Sequence, residues 1–226
     1  MPIFVYFVLG GLLVMILVTY GVRAHHAKRE AHKQELQRLG FFSCTDRKAW
    51  LEQTITTLEN NHGYRYEVRD PARHTGGREI YYYTKVRHGS DSRDQALVEE
   101  EVLFRTRQPS AQPVLMVVKP SAIGSRLATR ILRSVATGPW DTHPDDLERL
   151  ELPPDLQNSN LLGALGPRGA RLYDLVDAGT LAVVQRLGDV GGMWILMRDG
   201  WCAVASGGKE TPFRLSELLS HLRPLL

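Results

Sequence analysis

Two cysteines in 226 residues are too few for a disulfide-dense secreted scaffold, and ordinary glycine and proline counts (20 and 12) exclude collagen-like and low-complexity chains. Local catalytic motifs are missing as well. The chain has no C-x-x-C, H-E-x-x-H or G-x-S-x-G, and neither Gly188-Asp189-Val190-Gly191-Gly192 nor Ser206-Gly207-Gly208-Lys209 matches a phosphate-binding loop. Both glycine stretches read as hairpin loops. No cofactor and no metal is expected from any spacing of ligand residues.

Charge is also absent from residues 1–22, which hold no Asp, Glu, Lys, Arg or His. Residues 23–40 then hold five cations, Arg23, Lys28, Arg29, Lys33 and Arg38, against Glu30 and Glu35, while residues 41–226 carry 23 charges of each sign. The net charge of +3 is therefore local to one short stretch. A nucleic-acid binder needs a basic patch that neutralises several phosphates, so the balanced body speaks against that class.

What is present is a run from Ile3 to Val22 of twenty uncharged, mostly apolar residues. As a helix it would match a hydrocarbon core about 30 Å thick, with Tyr20 at an interfacial position. The basic flank after it predicts, by the positive-inside rule, a single-pass anchor in the cell (inner) membrane with the N-terminus outside and the C-terminal body cytoplasmic. A cleaved secretory signal is the rival reading. It fits less well, because the apolar run exceeds a signal core and cations follow rather than precede it. Residues 23–40 are rich in helix formers and stop at Gly40, so a basic juxtamembrane helix is expected, with Lys28, Arg29 and Lys33 near anionic headgroups.

The body reads as α+β, with antiparallel sheet and packing helices. Ser43-x-x-Asp46 has the form of a capping box for a helix whose apolar stripe is Trp50, Leu51, Ile55 and Leu58, running to Asn60-Asn61. Strands are expected at 64–69, 79–86, 96–105 and 114–118, as a meander with a turn at Asp70-Pro71. A helix from Lys119 to about Thr137 would carry Arg126, Arg130 and Arg133 in one basic stripe, a candidate contact for a partner or a lipid surface. Farther on, a helix is expected at 167–177, strands at 180–186 and 193–198, a hairpin at Asp199-Gly200 and a last helix at 213–222. The order helix, strands, helix thus appears twice. It suggests subdomains at 41–138 and 161–226, two similar halves joined by a linker at 139–160.

Three groupings invite a chemical reading. Asp141-Thr142-His143-Pro144-Asp145-Asp146 could supply acid, base or metal ligands, although Pro144 at the start of a short helix with acidic residues in its first turn explains it structurally. On a strand Glu99 and Glu101 share a face, and pairing across the sheet with Lys85 or Arg87 is their expected use. Tyr81 and Tyr83 lie on the face opposite Ile80, Tyr82 and Val86, to be covered by another element or to form an aromatic surface. Taken together, the expectation is a membrane-anchored, non-enzymatic accessory or interaction subunit with a membrane-protein partner or a second copy of itself. An anionic-lipid-binding module is the alternative, and a tethered hydrolase using Asp141, His143 and Asp145 is the third reading.

Overall fold

The computed structural model describes residues 15, 19–20, 27, 30–89, 97–107, 112–120, 144–157, 159–206 and 214–226, and the chain divides into two units, Met1–Phe42 and Ser43–Leu226. In the first unit residues 31–38 are helical and end as expected, with Gly40 at φ 82° donating its N–H to the Gln37 carbonyl at 3.0 Å. Among the described residues no helix is long and apolar enough to cross a membrane. The expected span at 3–22 lies outside the described residues apart from Met15, Thr19 and Tyr20, which are helical.

After β1 (Phe41–Ser43) and a single 3₁₀ turn at Thr45–Arg47 comes α1 (Lys48–Glu59). The expected capping box does not form: Ser43 belongs to β1, and no side chain caps the helix at Arg47. The other end is as read, since Asn60 takes the left-handed conformation (φ 41°) and donates to the Thr56 carbonyl. Leu51, Ile55 and Leu58 are the buried stripe of α1.

The strands that follow are β2 (Tyr64–His74), β3 (Ile80–Gly89), β4 (Leu97–Arg105), β5 (Val114–Val118), β6 (Glu148–Arg149), β7 (Leu161–Gly166), β8 (Met193–Arg198) and β9 (Trp201–Ser206). Asp70-Pro71 is not a turn between strands. Asp70 takes a positive φ of 48° and the pairing with β3 shifts between Arg69 and Ala72, so one strand absorbs the proline as an irregularity and continues.

Among the described residues of the second unit, eight strands form one sheet in the order β2-β3-β4-β9-β8-β5-β7-β6. Their pairings are antiparallel. The expected meander therefore holds for β2-β3-β4 and fails at β5, because the β8–β9 hairpin inserts beside β4. Continuous apolar runs explain this. All of β5 and β8 and nearly all of β9 are buried, and strands covered on both faces belong in the middle of a sheet. The hairpin itself is as read, with Asp199 and Gly200 both at positive φ (51° and 78°). Since β4 pairs with β9 and β5 with β7 and β8, the stretches read as separate subdomains share one sheet.

Two further elements differ from expectation. The helix read at 167–177 shrinks to α2 (Leu172–Leu175), and the strand read at 180–186 is instead α3 (Ala178–Arg186). Asp177 caps α3, its carboxylate accepting from the Thr180 N–H at 3.0 Å, and this nucleates a helix despite Thr180, Val183 and Val184. The chain ends on α4 (Leu215–Leu222), which buries Leu215, Leu218 and Leu222 and packs on α3.

Candidate functional site

Alternation along β3 sends Tyr81, Tyr83, Lys85 and Arg87 to the face where α1 packs, and the antiparallel register sets Tyr83 opposite Glu101 and Lys85 opposite Glu99 on β4. The row through Glu101 continues to Ala205 on β9 and Trp194 on β8. With only a methyl group at Ala205, the indole reaches over toward β4, and its Nε1–H donates to Glu99 Oε1 at 3.1 Å. From the helix layer, Glu59 at the end of α1 adds a third carboxylate.

Lys85 is the hub. Its ammonium donates to Glu59 Oε1, lies 2.7 Å from Glu101 Oε2 and 3.4 Å from Glu99 Oε2, and sits 4.0 Å from the centre of the Trp194 ring. Arg87 donates to Glu99 Oε2 at 3.2 Å and stacks 5.4 Å from the Tyr64 ring centre. Tyr66 donates to Glu59 Oε2 at 3.3 Å, and the Tyr83 hydroxyl donates to Glu101 Oε1. Lys85 and Glu101 are 0% and 1% exposed, so water screens almost none of this.

Burial alone would lower the Lys85 ammonium, but the charges of Glu101, Glu59 and Glu99 outweigh it and hold its pKa above the ordinary value. Lys85 is thus a fixed cation, not a nucleophilic amine. Burial pushes Glu59 up, and Lys85 and Arg87 pull it below the ordinary carboxylate range. Glu101 goes the other way: burial raises it, and Lys85 does not offset burial together with the charge of Glu59. Burial and the charge of Glu101 likewise keep the Tyr83 phenol protonated. What the network does chemically is compensate charge, tying the C-terminal end of α1 to β3 and β4.

The sequence reading of Glu99 and Glu101 as cross-strand partners of Lys85 and Arg87 matches this geometry. It missed Glu59 and Trp194, which come from other elements. Tyr81 and Tyr83 do not form an exposed aromatic surface: they are 2% and 0% exposed, because α1 covers their face and Trp50 packs its ring 5.2 Å from that of Tyr81.

Of the acidic cluster, Asp141 and His143 lie outside the described residues. Asp145 accepts from the His62 backbone N–H at 3.0 Å and contacts its Nδ1 at 2.8 Å, while Asp146 forms a two-pronged pair with Arg198 at 2.7 and 3.0 Å. The residues after Pro144 make a turn and then β6, not the expected helix. Arg126, Arg130 and Arg133, with Lys28 and Arg29, also lie outside the described residues; Lys33 is exposed and pairs with Glu30 at 2.9 Å.

Both thiols are buried, and burial is the first cause raising each above its ordinary value, so neither is an activated nucleophile. A groove of about 390 Å³ lies between Glu151–Pro154 and Arg171–Asp174. Within its lining Arg171 pairs with Asp174 at 3.0 Å, and the Tyr173 hydroxyl donates to Asp155. Comparison with known proteins finds no family, no curated protein and no solved structure that the chain matches.

Proposed function

We propose that this chain is a non-enzymatic accessory or interaction subunit, anchored in a membrane by residues 3–22 with the body on the cytoplasmic side. The observation that carries the reading is the uncharged run from Ile3 to Val22 followed at once by the basic stretch 23–40. Support comes from where the reactive groups go among the described residues of the body. Lys85, Glu59, Glu99 and Glu101 are spent on one another, Asp145 and Asp146 on His62 and Arg198, and both cysteines on the core. A tethered body gains effective concentration toward other membrane proteins, which suits a partner-binding role better than a free substrate.

The test is affinity purification of the full chain, tagged at its C-terminus, from native membranes in mild detergent. A stoichiometric membrane-protein partner or a defined homo-oligomer is expected. A clean monomer that instead floats with anionic vesicles in a salt-sensitive way would replace this reading with the lipid-binding one.

Orientation has its own check. Because Cys44 and Cys202 are buried, a reporter is needed, and the Arg171 side chain, 83% exposed, marks a suitable position. In Arg171→Cys a membrane-impermeant maleimide is expected to label the chain only after permeabilisation. Labelling of intact cells would place the body outside.

A further inference from the structure

The buried network does not balance. Among the described residues three carboxylates, Glu59, Glu99 and Glu101, face two cations, Lys85 and Arg87; Lys85, Glu59 and Glu101 are closed to water, and Glu99 is 10% exposed. An uncompensated charge in such a place is relieved by taking up a proton. We propose that the network holds one proton at neutral pH and that the proton resides on Glu101, between its Oε1 and the Tyr83 hydroxyl.

Geometry singles out Glu101 among the three. Glu99 has both cations within 3.4 Å, the Trp194 N–H as a donor, and a side chain that is 10% exposed. Glu59 accepts a hydrogen bond from Lys85 and another from Tyr66, with the charge of Arg87 acting on it as well. Glu101 has one cation near it, its side chain is 1% exposed, and Oε2 takes no aligned hydrogen bond although Lys85 stands 2.7 Å away. Its other oxygen meets a phenol, a group that can accept from a protonated carboxyl as well as donate to an ionised one.

Every ionisable neighbour among the described residues agrees. On β2 and β3, Tyr66 and Tyr83 stay neutral phenols and Lys85 and Arg87 stay cations; on α1, Glu59 stays ionised. From β9, burial keeps the Cys202 thiol neutral, so it adds no charge to the set. With Glu101 neutral, the remaining Glu59 and Glu99 match Lys85 and Arg87 one for one.

The sign of the pH dependence follows. A carboxyl raised on folding contributes its full stability below the ordinary carboxylate range and loses it as pH rises through the folded value. Ionised Glu101 would also oppose Glu59, so the loss should be felt first at the end of α1.

The experiment is infrared spectroscopy of the full chain in an ester-free detergent at pH 7, where exposed carboxyls are ionised. A protonated-carboxyl band is expected in the native chain and in Glu99→Gln, and it should vanish in Glu101→Gln. A denaturation midpoint that falls from pH 7 to pH 10 in the native chain should fall less in Glu101→Gln, whose amide mimics the protonated acid. Absence of the band from the native chain overturns the proposal whether or not the variants fold. So does a band that survives in Glu101→Gln.

Discussion

Lys85→Met is expected to lower the stability of the fold by about 3–5 kcal/mol at neutral pH, the range seen when one partner of a buried ion pair is removed. The methionine can follow the lysine stem past the Trp194 ring, so the loss is chiefly one of charge. Glu59, Glu99 and Glu101 lose the ammonium that touches all three, and Arg87 alone remains. The deficit should shrink on acidification, because Glu59, held below the ordinary carboxylate range by Lys85 and Arg87 in the native chain, becomes easier to protonate once Lys85 is gone.

In the native chain the sign for Glu59 is opposite to that for Glu101. A carboxyl lowered on folding gives its stability above the ordinary carboxylate range and loses it as pH falls through the folded value. Adding Glu59→Gln to Lys85→Met should recover part of the loss, since with Glu101 protonated Arg87 and Glu99 then form a balanced pair, whereas Glu59→Gln alone removes a carboxylate partner of Lys85 that is still needed. Equilibrium denaturation followed by circular dichroism on the full chain in detergent measures all three. A loss under about 1 kcal/mol for Lys85→Met would mean that water or rearrangement solvates these carboxylates.

The cross-strand half of this network could be read from the sequence because strand geometry is local: alternation alone puts Lys85 with Arg87 and Glu99 with Glu101, and a short turn makes the strands antiparallel neighbours. Its burial could not be read. Tyr83, Lys85 and Arg87 look like an outward face until α1 lies across them, and Glu59 is an unremarkable polar residue at a helix end until Tyr66 and Lys85 meet it. Trp194 lies 95 positions from Glu99, so no window of sequence could join them.

The same distinction separates the elements read correctly from the others. The α1 stripe, the first half of β2, the strands β3 and β4 and the Asp199-Gly200 turn depend on neighbours within a few residues, and they form where expected. The position of β5 depends on where the β8–β9 hairpin inserts, which is a competition between distant apolar runs. In α3 two local rules conflicted. Thr180, Val183 and Val184 favour a strand by side-chain shape, and the Asp177 cap with buried Leu181 and Val184 three apart favours a helix. Burial of the apolar stripe decided it, as tertiary packing commonly overrides intrinsic preference.

Trp194→Ala should cost about 3–5 kcal/mol, as large-to-small changes of buried aromatics do. Three losses coincide at this residue. The ring fills space beside Lys85 in a core where Trp194 is 5% exposed; it presents its face to the ammonium at 4.0 Å; and its N–H is a donor to Glu99 at 3.1 Å. Trp194→Phe separates them, because it keeps an aromatic face for Lys85 and removes the donor to an ionised carboxylate, a change worth roughly 1.5–3 kcal/mol. The phenylalanine variant should therefore lie between the native chain and the alanine variant. Its cost should fall when Glu99→Gln is added, since a neutral amide depends less on the lost donor. Denaturation midpoints of five proteins, the native chain, Trp194→Ala, Trp194→Phe, Glu99→Gln and the Trp194→Phe/Glu99→Gln double variant, read by circular dichroism so that the missing indole does not alter the signal, decide the matter. If Trp194→Phe is as damaging as Trp194→Ala, the hydrogen bond to Glu99 dominates and the ring face contributes little. If Trp194→Phe is indistinguishable from the native chain, Glu99 is held by Arg87 and Lys85 alone, and the reach of β8 toward β4 is a matter of packing.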